Sequence, residues 1–417
     1  MRSEVAMPMP GSRLRLVGPG LAASVQARAR ADRSARRTLV ILVFSVAALT
    51  VLGLVMVLSA SSVWAFSQFG SSFLFFKRQL LYAGIGGALA VLVARMRYQV
   101  WQRVWGPLLA TTLLLLILVL HSPAGTQAGG SARWLSVAGG FTLQPSELAK
   151  FAVVMATAAI LARNMRYLTD PMVWGVPLLF VVGPTLLLIL LQPDLGTMMI
   201  LALAVLLMLF VAGVRLRLLA LATVVGGAVG TGLAMGAGYR RARLLSFLHP
   251  WADPHNTGYQ IVQSLIALGS GKVLGVGLGA SRQKWLYVPN AHTDFIFSIM
   301  GEELGLIGEI VVLGLFAALL FAGIRIAMRA PDAFGRILAG GITAWLGLQA
   351  LVNLGAVTGV LPITGVPLPF MSFGGSSLIV SLVAVGVLVS IGRAGLPGAG
   401  SWREGTHPAG GRAIPGV

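Results

Sequence analysis

The sequence predicts an all-α polytopic membrane protein with about ten transmembrane helices and a large extracytoplasmic loop between helices 7 and 8. The chain of 417 residues is 57% hydrophobic and only 10% charged, whereas a soluble domain carries roughly 25% charged residues. The mean hydropathy is +0.87. Apolar stretches long enough to cross a membrane recur along the chain, since a helix needs roughly 20 apolar residues to span the hydrocarbon.

The apolar stretches follow one another in a regular series. They predict spans at about 39–60, 79–95, 105–121, 146–162, 173–191, 195–213, 218–237, 295–324, 337–357 and 375–392. Residues 1–38 form a basic arm rich in Arg, Ala, Gly and Pro, and residues 393–417 form a tail rich in Gly and Pro. Both compositions are typical of disordered cytoplasmic segments whose arginines contact anionic lipid. The first span is not predicted to be a cleaved signal peptide, because it lacks a convincing small-residue cleavage site.

The net charge of +19 comes almost entirely from arginine. With the N-terminus inside, 21 of the 31 Lys and Arg residues fall on the inner side, nine on the outer side, and Lys150 within a span. Basic residues accumulate in cytoplasmic loops, so this asymmetry predicts that both termini are cytoplasmic. Topology therefore accounts for the charge, and no nucleic-acid partner is expected. The absence of cysteine excludes disulfides and thiolate metal sites.

The outer loops are longer and chemically richer than the inner ones. They comprise 122–145, 238–293 and 358–374. A 56-residue connection is rarely structureless, and its apolar part, 259–279, predicts a helix that lies on or dips into the outer leaflet. The functional machinery is therefore expected on the outer face.

Three short motifs place an acidic residue at or near the outer end of a span. They are QPSELAK (144–150), QPDLGT (192–197) and HTDFIF (292–297). Asp194 and Asp294 lie at or just before a predicted helix start, where the partial positive charge of the helix stabilises a carboxylate. Each of these acids is therefore either a helix cap or a functional group.

Two further groups of charges lie within predicted spans. Glu147 and Lys150 are three residues apart and share a helix face, and ionisable residues inside a membrane are usually paired. They form either a structural ion pair or a site in which Glu147 holds Lys150 towards an anionic substrate. Glu302 and Glu303 lie about 12 Å along the helix from Asp294 and are predicted to support that helix.

Arginines on the outer side run against the charge asymmetry and need a reason. They are Arg133, beside Trp134, and the group Arg240, Arg241 and Arg243. Lipid phosphate is one candidate ligand. A substrate that bears a pyrophosphate is the other, because the guanidinium fork matches phosphate oxygens.

Five segments in this order carry a family resemblance: SARWLSVAGGFTLQPSELAK, QPDLGT, HPWADPHNTGYQIVQSLIALGSGK, HTDFIFSIMGEELGLIGE and LPITGVPLPFMSFGGSS. Together they resemble the SEDS family, the FtsW/RodA-type peptidoglycan polymerases, over about residues 40–392. The resemblance implies ten transmembrane helices and a glycosyltransferase that polymerises lipid II on the outer face of the bacterial cytoplasmic membrane. It also implies a class B penicillin-binding protein as partner, together with other divisome or elongasome membrane proteins.

The segments resemble both branches of the family, with the FtsW branch slightly favoured over the RodA branch. GLGASRQKWLYVPNAHTDFIF is similar to the division-type FtsW branch, whereas LPITGVPLPFMSFGGSS is similar to the RodA branch. Asn290 stands where the family commonly has Glu, so the role of that carboxylate is absent or supplied elsewhere. The essential aspartate of the family matches Asp294.

The implied reaction needs a general base for the attacking 4-hydroxyl and positive charge for the departing undecaprenyl pyrophosphate. Asp294 is the candidate base, and Arg133, Lys150 and Arg243 are the candidate cations. The remaining candidate substrate-binding residues are Glu147, Asp194, His292 and Ser376. A divalent cation, Mg²⁺ or Mn²⁺, is a further candidate for the pyrophosphate, although the sequence shows no dedicated metal cage.

Two other functions fit the same family resemblance. A lipid II flippase needs substrate contacts on both membrane faces, whereas the motifs concentrate on the outer face. A non-catalytic scaffold for a penicillin-binding protein has no need of an intact Asp294. Both alternatives stay open at this point.

Overall fold

The computed structural model describes residues 19–121, 125–128, 131–137, 141–236, 247–256, 258–285, 287–289 and 291–396. The helices are α1 (Pro19–Phe69), α2 (Leu74–Arg95), α3 (Trp101–His121), α4 (Pro145–Arg163), α5 (Pro171–Leu191), α6 (Leu195–Ala212), α7 (Leu216–Met235), α8 (Tyr259–Gly271), α9 (Ile296–Arg329), α10 (Ala333–Val357) and α11 (Gly375–Ala394). Three short strands lie between α3 and α4: β1 (Gly125–Ala128), β2 (Ser131–Val137) and β3 (Phe141–Leu143).

Ten of the described helices are long and apolar enough to cross a membrane. They are all the helices named above except α8, and each corresponds to one of the predicted spans to within a few residues at its ends or is longer than that span. The prediction of a polytopic helical membrane protein is therefore confirmed. The helix starts follow local chemistry, since α4 and α5 begin with a proline at the first helical position and α6 follows an aspartate N-cap.

The first helix begins much earlier than predicted. It starts at Pro19, so residues 19–38 of the basic arm are helical and the prediction of a disordered arm is wrong for them. This segment is rich in Ala and Arg, which have high helix propensity. An i,i+4 ion pair between Asp32 and Arg36, at 3.1 Å, adds to the helix.

The loop before α4 contains a small antiparallel sheet that the all-α prediction omits. The strand order is β1-β2-β3, and Leu135 in β2 pairs with Gly125 on one side and Leu143 on the other. Each strand is too short to produce a strong pattern. Glycine pairs at 129–130 and 139–140 flank β2 in the sequence, and such turn residues were the available signal.

The helices differ widely in burial, and α4 lies at the centre. In its apolar window 89% of the residues are buried, compared with 67% in α10 and in α11 and none in α7. Helix α4 packs against α3, α10, α5 and α6, whereas α2 packs against α11 and α1 against α9. Glu147 and Lys150 of α4 therefore lie inside the protein and away from lipid.

Helix α9 is broken at Gly305, which has a φ of 64° and a ψ of −166°. The left-handed φ suits glycine. The segment that follows α8 fills the break, since the Val276 amide donates to the Glu302 carbonyl at 2.9 Å and the Leu306 amide donates to the Lys272 carbonyl at 3.0 Å. Backbone groups released from the helix thereby find partners, as an apolar surrounding requires.

The predicted helix over 259–279 is consequently shorter in the structure. It ends at Gly271, and residues 272–279 form turns that pair with the break in α9. The prediction is correct for the first part of this segment and wrong for the second, because the backbone of 272–277 is used in pairing with α9.

Candidate active site

The HTD sequence lies against the loop between α10 and α11. We call residues 292–294 together with 364–373 the outer junction. Three consecutive carbonyls of 292–294 accept hydrogen bonds: the first from the Phe373 amide at 2.9 Å, the second from the Ser372 hydroxyl at 2.6 Å, and the third from Nδ2 of Asn353 at 2.8 Å. The backbone that carries Asp294 is therefore fixed before α9 begins at Ile296.

The carboxylate of Asp294 lies beside a glycine. Its Oδ2 is 3.5 Å from the position that a Cβ would occupy on Gly365. Gly365 has a φ of 71°, which favours glycine over residues that have a side chain. Asp294 is half-buried, and one of its carboxylate oxygens therefore lies next to the Gly365 backbone, where a side chain would crowd it.

Two amide side chains of α10 reach the outer junction from below. Asn353 Nδ2 donates to the carbonyl of Val366 at 2.8 Å in addition to that of Asp294. Gln349 Nε2, one turn earlier, donates to the carbonyl of Pro367 at 3.0 Å. Both amides are buried, with 2% and 0% of their surface exposed respectively.

The predicted ion pair of α4 is present and enclosed. Lys150 Nζ lies 2.9 Å from Glu147 Oε1 and donates to Gln349 Oε1 at 2.7 Å. The ammonium also lies 5.5 Å from the centroid of the Trp345 ring. Since Lys150 is 0% and Glu147 1% exposed, the geometry favours the structural ion pair over the alternative in which Lys150 faces a substrate.

The QPDLGT motif forms the start of α6. Asp194 is its N-cap and accepts hydrogen bonds from the amide of Thr197 at 3.1 Å and from its hydroxyl at 2.8 Å. Gly196 packs against Thr364 and Val366. Asp194 therefore has a capping role, and its motif borders the outer junction.

Arg133 reaches the same turn from β2. Its Nε donates to the carbonyl of Gln192 at 3.0 Å, and its Nη2 donates to the carbonyl of Pro193 at 2.7 Å. Two of its three nitrogens thus hold the turn before α6. Arg133 is therefore fixed in position next to the motif that borders the outer junction.

Ser376 is a further predicted substrate-binding residue. The Oγ of Ser376, at the start of α11, accepts a hydrogen bond from the Gln144 amide at 3.2 Å, so it ties α11 to the start of α4. Arg243 and Asn290 lie outside the described residues.

His292 belongs to an aromatic cluster. Its ring centroid lies 5.4 Å from Trp64, 5.1 Å from Phe75 and 5.8 Å from Phe373. Burial lowers the pKa of His292 to about 4, because a buried imidazolium loses hydration. The neutral ring packs at pH 7 and provides no positive charge for a pyrophosphate.

Glu302 and Glu303 hold residues 281–284 and α1 by hydrogen bonds, in agreement with their predicted structural role. Glu302 accepts hydrogen bonds from the Ser281 hydroxyl and from the Arg282 amide, the latter at 3.0 Å. Glu303 accepts from the Ser59 hydroxyl at 2.6 Å. These buried carboxylates connect α9 to α1 and to residues 281–284, which is the support they need inside an apolar helix.

Most of the other described acids also have structural roles. Asp170, Asp194 and Asp332 are helix N-caps, and Glu147 and Asp32 lie in ion pairs. Among the described residues, no group of three or more His, Asp or Glu side chains is arranged to hold a metal ion. The candidate divalent cation thus has no protein cage in this part of the chain.

Sequence reasoning did not find Gln349 and Asn353. They lie four residues apart in WLGLQALVNLG (345–355), so they share one face of an otherwise apolar helix. A pair of amides with helical spacing in a membrane span was the signal, since buried polar groups need partners.

The family comprising FtsW, RodA and SpoVE, described as cell cycle proteins, has a sequence model that matches residues 39–395. The chain is 46% identical over 356 residues to a probable peptidoglycan glycosyltransferase FtsW of Geobacter metallireducens, covering 85% of this chain and 94% of that protein. It is 45% identical over 346 residues to stage V sporulation protein E of Bacillus subtilis, covering 83% and 94%.

Solved structures show the same similarity. One is described as the structural coordination of polymerization and crosslinking by a peptidoglycan synthase complex. It contains a chain that is 32% identical to this one, with a TM-score of 0.69. The match covers 85% of this chain and 97% of that chain. Another is the rod shape determining protein RodA of Thermus thermophilus, which is 30% identical with a TM-score of 0.62, over 85% and 96%.

Proposed function

Because the chain belongs to the FtsW/RodA/SpoVE family of cell cycle proteins, we infer that it is a multi-pass membrane protein that acts as a peptidoglycan glycosyltransferase. The conclusion rests on sequence identities of 46% and 44%, along most of the chain, to two proteins named probable peptidoglycan glycosyltransferase FtsW. The FtsW branch is favoured over the RodA branch, since the FtsW relatives are 43–46% identical and the solved RodA is 30% identical.

We propose that Asp294 is the general base of this reaction. The 4-hydroxyl of the acceptor GlcNAc attacks C1 of the lipid-linked MurNAc donor, and its proton passes to the Asp294 carboxylate. The new C1–O4 bond forms as the bond from C1 to the pyrophosphate oxygen breaks. Undecaprenyl pyrophosphate leaves with that electron pair, and the anomeric centre inverts. The support is the half-buried carboxylate on a fixed backbone beside Gly365.

Positive charge for the leaving group is assigned to Arg133 and Arg243 and not to Lys150. The ammonium of Lys150 is enclosed by Glu147 and Gln349, whereas Arg133 lies on the outer sheet with Nη1 outside its two carbonyl bonds. A Mg²⁺ or Mn²⁺ ion bound to the pyrophosphate would add charge there. Chain residues supply no cage for it in the described part of the molecule.

The proposal also includes a partner and an orientation. The synthase-complex neighbour couples polymerization with crosslinking, which supports a class B penicillin-binding protein as the partner of this chain. The arginine asymmetry supports a bacterial cytoplasmic membrane location with both termini inside and the outer junction outside.

Lipid II polymerisation by the purified protein tests this function, with and without the cognate penicillin-binding protein. Glycan chains longer than the starting disaccharide are expected, with a higher yield when the partner is present. A folded protein that moves labelled lipid II across vesicle membranes and makes no polymer in either condition would instead support the flippase.

A further inference from the structure

The amide of Asn353 can have only one orientation. Both of its contacts, at 2.8 Å, are with backbone carbonyl oxygens, those of Asp294 and Val366. Carbonyls only accept hydrogen bonds, so the atom that faces them must be the donating Nδ2. Each of its two N–H groups is thereby assigned to one side of the outer junction, and Asn353 bridges the two segments that meet there.

The amide of Gln349 is oriented by the same argument. Its Oε1 faces the Lys150 ammonium at 2.7 Å and the Trp345 indole nitrogen at 3.0 Å, and both groups only donate. Its Nε2 therefore faces the Pro367 carbonyl. The ion pair of α4 thus fixes Gln349, and Gln349 in turn fixes the loop.

The two amides form a ladder along α10. They are four residues apart and lie on one face of the helix. Their carbonyl partners are consecutive residues of the loop, Val366 and Pro367. The loop and the segment that carries Asp294 are therefore anchored to one rigid helix in the protein core.

We propose that Asn353 is a positioning residue for the polymerisation reaction, which holds the backbone of Asp294 at a fixed distance from the Val366 carbonyl and the adjacent Gly365. This inference rests on the proposed role of Asp294 as base. Asn353 acts through Asp294 and has no substrate contact of its own. Gln349 and Lys150 support the same loop indirectly, since Lys150 donates to Gln349 and Gln349 donates to the Pro367 carbonyl.

The bridge matters because general-base catalysis depends on geometry. A base must lie within hydrogen-bond reach of the proton it removes, and a displacement of 1 Å can lower a rate by about 10²-fold. Loss of the bridge should therefore affect the chemical step and leave the binding of lipid II nearly unchanged.

The substitution Asn353→Leu tests the bridge in the full chain. Leucine keeps a side chain of similar size but has no donor, so packing is largely retained while both hydrogen bonds are lost. We expect kcat for lipid II polymerisation to fall by about 10²-fold and KM for lipid II to stay within about twofold. The matched control is Tyr98→Phe, which removes a hydrogen bond of 2.6 Å to Asp332, a residue that caps the opposite end of α10. It should leave both kcat and KM unchanged.

A second variant keeps the inference testable if Asn353→Leu does not fold. Ser372→Ala removes the 2.6 Å hydrogen bond to the Thr293 carbonyl in the same segment, and it should also lower kcat without raising KM. A folded Asn353→Leu protein with wild-type kcat overturns the proposal. The proposal is also overturned if the whole loss of kcat/KM comes from a higher KM. If neither variant folds, the residues are required for folding and the proposal is rejected.

Asp294→Asn, measured in parallel, separates this proposal from the proposed function. If Asp294→Asn polymerises lipid II normally, the role of Asp294 fails and the positioning role fails with it. If Asp294→Asn is inactive while Asn353→Leu has normal kcat, the base assignment stands and only the positioning role is lost.

Discussion

Removing one member of the buried Glu147–Lys150 pair should destabilise the protein strongly, and removing both should not. In Lys150→Met the Glu147 carboxylate, which is 1% exposed, keeps its charge but loses the ammonium 2.9 Å away. Breaking a buried ion pair in this way costs about 3–5 kcal/mol, because an uncompensated buried charge is left behind. Glu147→Gln alone leaves the opposite charge and should also be destabilising.

The double variant, Lys150→Met with Glu147→Gln, removes both charges and should recover more than half of that loss. Thermal unfolding in detergent, followed by tryptophan fluorescence, gives the order of the four proteins in a double-mutant cycle. We also expect the double variant to polymerise lipid II at a reduced rate, because Gln349 loses its bond to Lys150 but keeps its bond to Trp345. Two single variants within about 0.5 kcal/mol of wild type, or a stable double variant with no activity, would refute the structural assignment of Lys150.

Three other predictions follow from the charges and the topology. Arg133→Ala should lower polymerisation more than Arg412→Ala, with partial recovery in Arg133→Lys, and equal activity of the two alanine variants would remove Arg133 from the site. The pKa of His292 is lowered to about 4, so the unfolded chain binds its proton first. Stability should therefore fall as the pH drops from about 6.5 to 4, by up to about 3 kcal/mol, and His292→Phe should reduce that fall in thermal unfolding. In the cysteine-free chain, Trp251→Cys in intact cells should react with an impermeant thiol reagent, whereas Leu216→Cys should react only after permeabilisation. The reverse pattern would overturn the orientation.

The membrane spans could be predicted because their signal is local. A run of about 20 apolar residues predicts a span from local composition alone. Pro145 and Asp194 likewise mark helix starts by local chemistry. The conformation of the N-terminal arm was harder to predict. Its arginines suggest disorder, whereas its alanines favour the helix that the structure shows from Pro19.

The break in α9 could not be predicted from local sequence. Gly305 alone in an apolar span is tolerated in a helix, and the break depends on amides and carbonyls of residues about thirty positions earlier, such as Val276 and Lys272. The small sheet before α4 could not be predicted from local sequence either, because its strands stabilise one another only when they are paired.

The candidate site was predicted in part. Asp294 was identified from its motif, but its position beside Gly365 is a tertiary contact between segments more than seventy residues apart. The same limit applies to the role of Lys150, because its hydrogen-bond partner Gln349 lies 199 residues away in the sequence. Motif spacing identified the charged residues, and only the fold shows which of them support the site.

The polymerisation rate of Asp294→Asn tests the central claim most directly. Asparagine keeps the size and polarity of the side chain but cannot accept the hydroxyl proton as a carboxylate does. Loss of a general base typically costs about 10²–10⁴-fold in rate, so polymer should fall below easy detection. Removing a charge near a helix start changes stability by only about 0.3–1 kcal/mol, so the variant should insert, purify and bind lipid II like wild type. A well-folded Asp294→Asn protein that makes glycan chains at near wild-type rate would show that Asp294 is not the base, and Glu147 and Asp194 would then be the carboxylates to test.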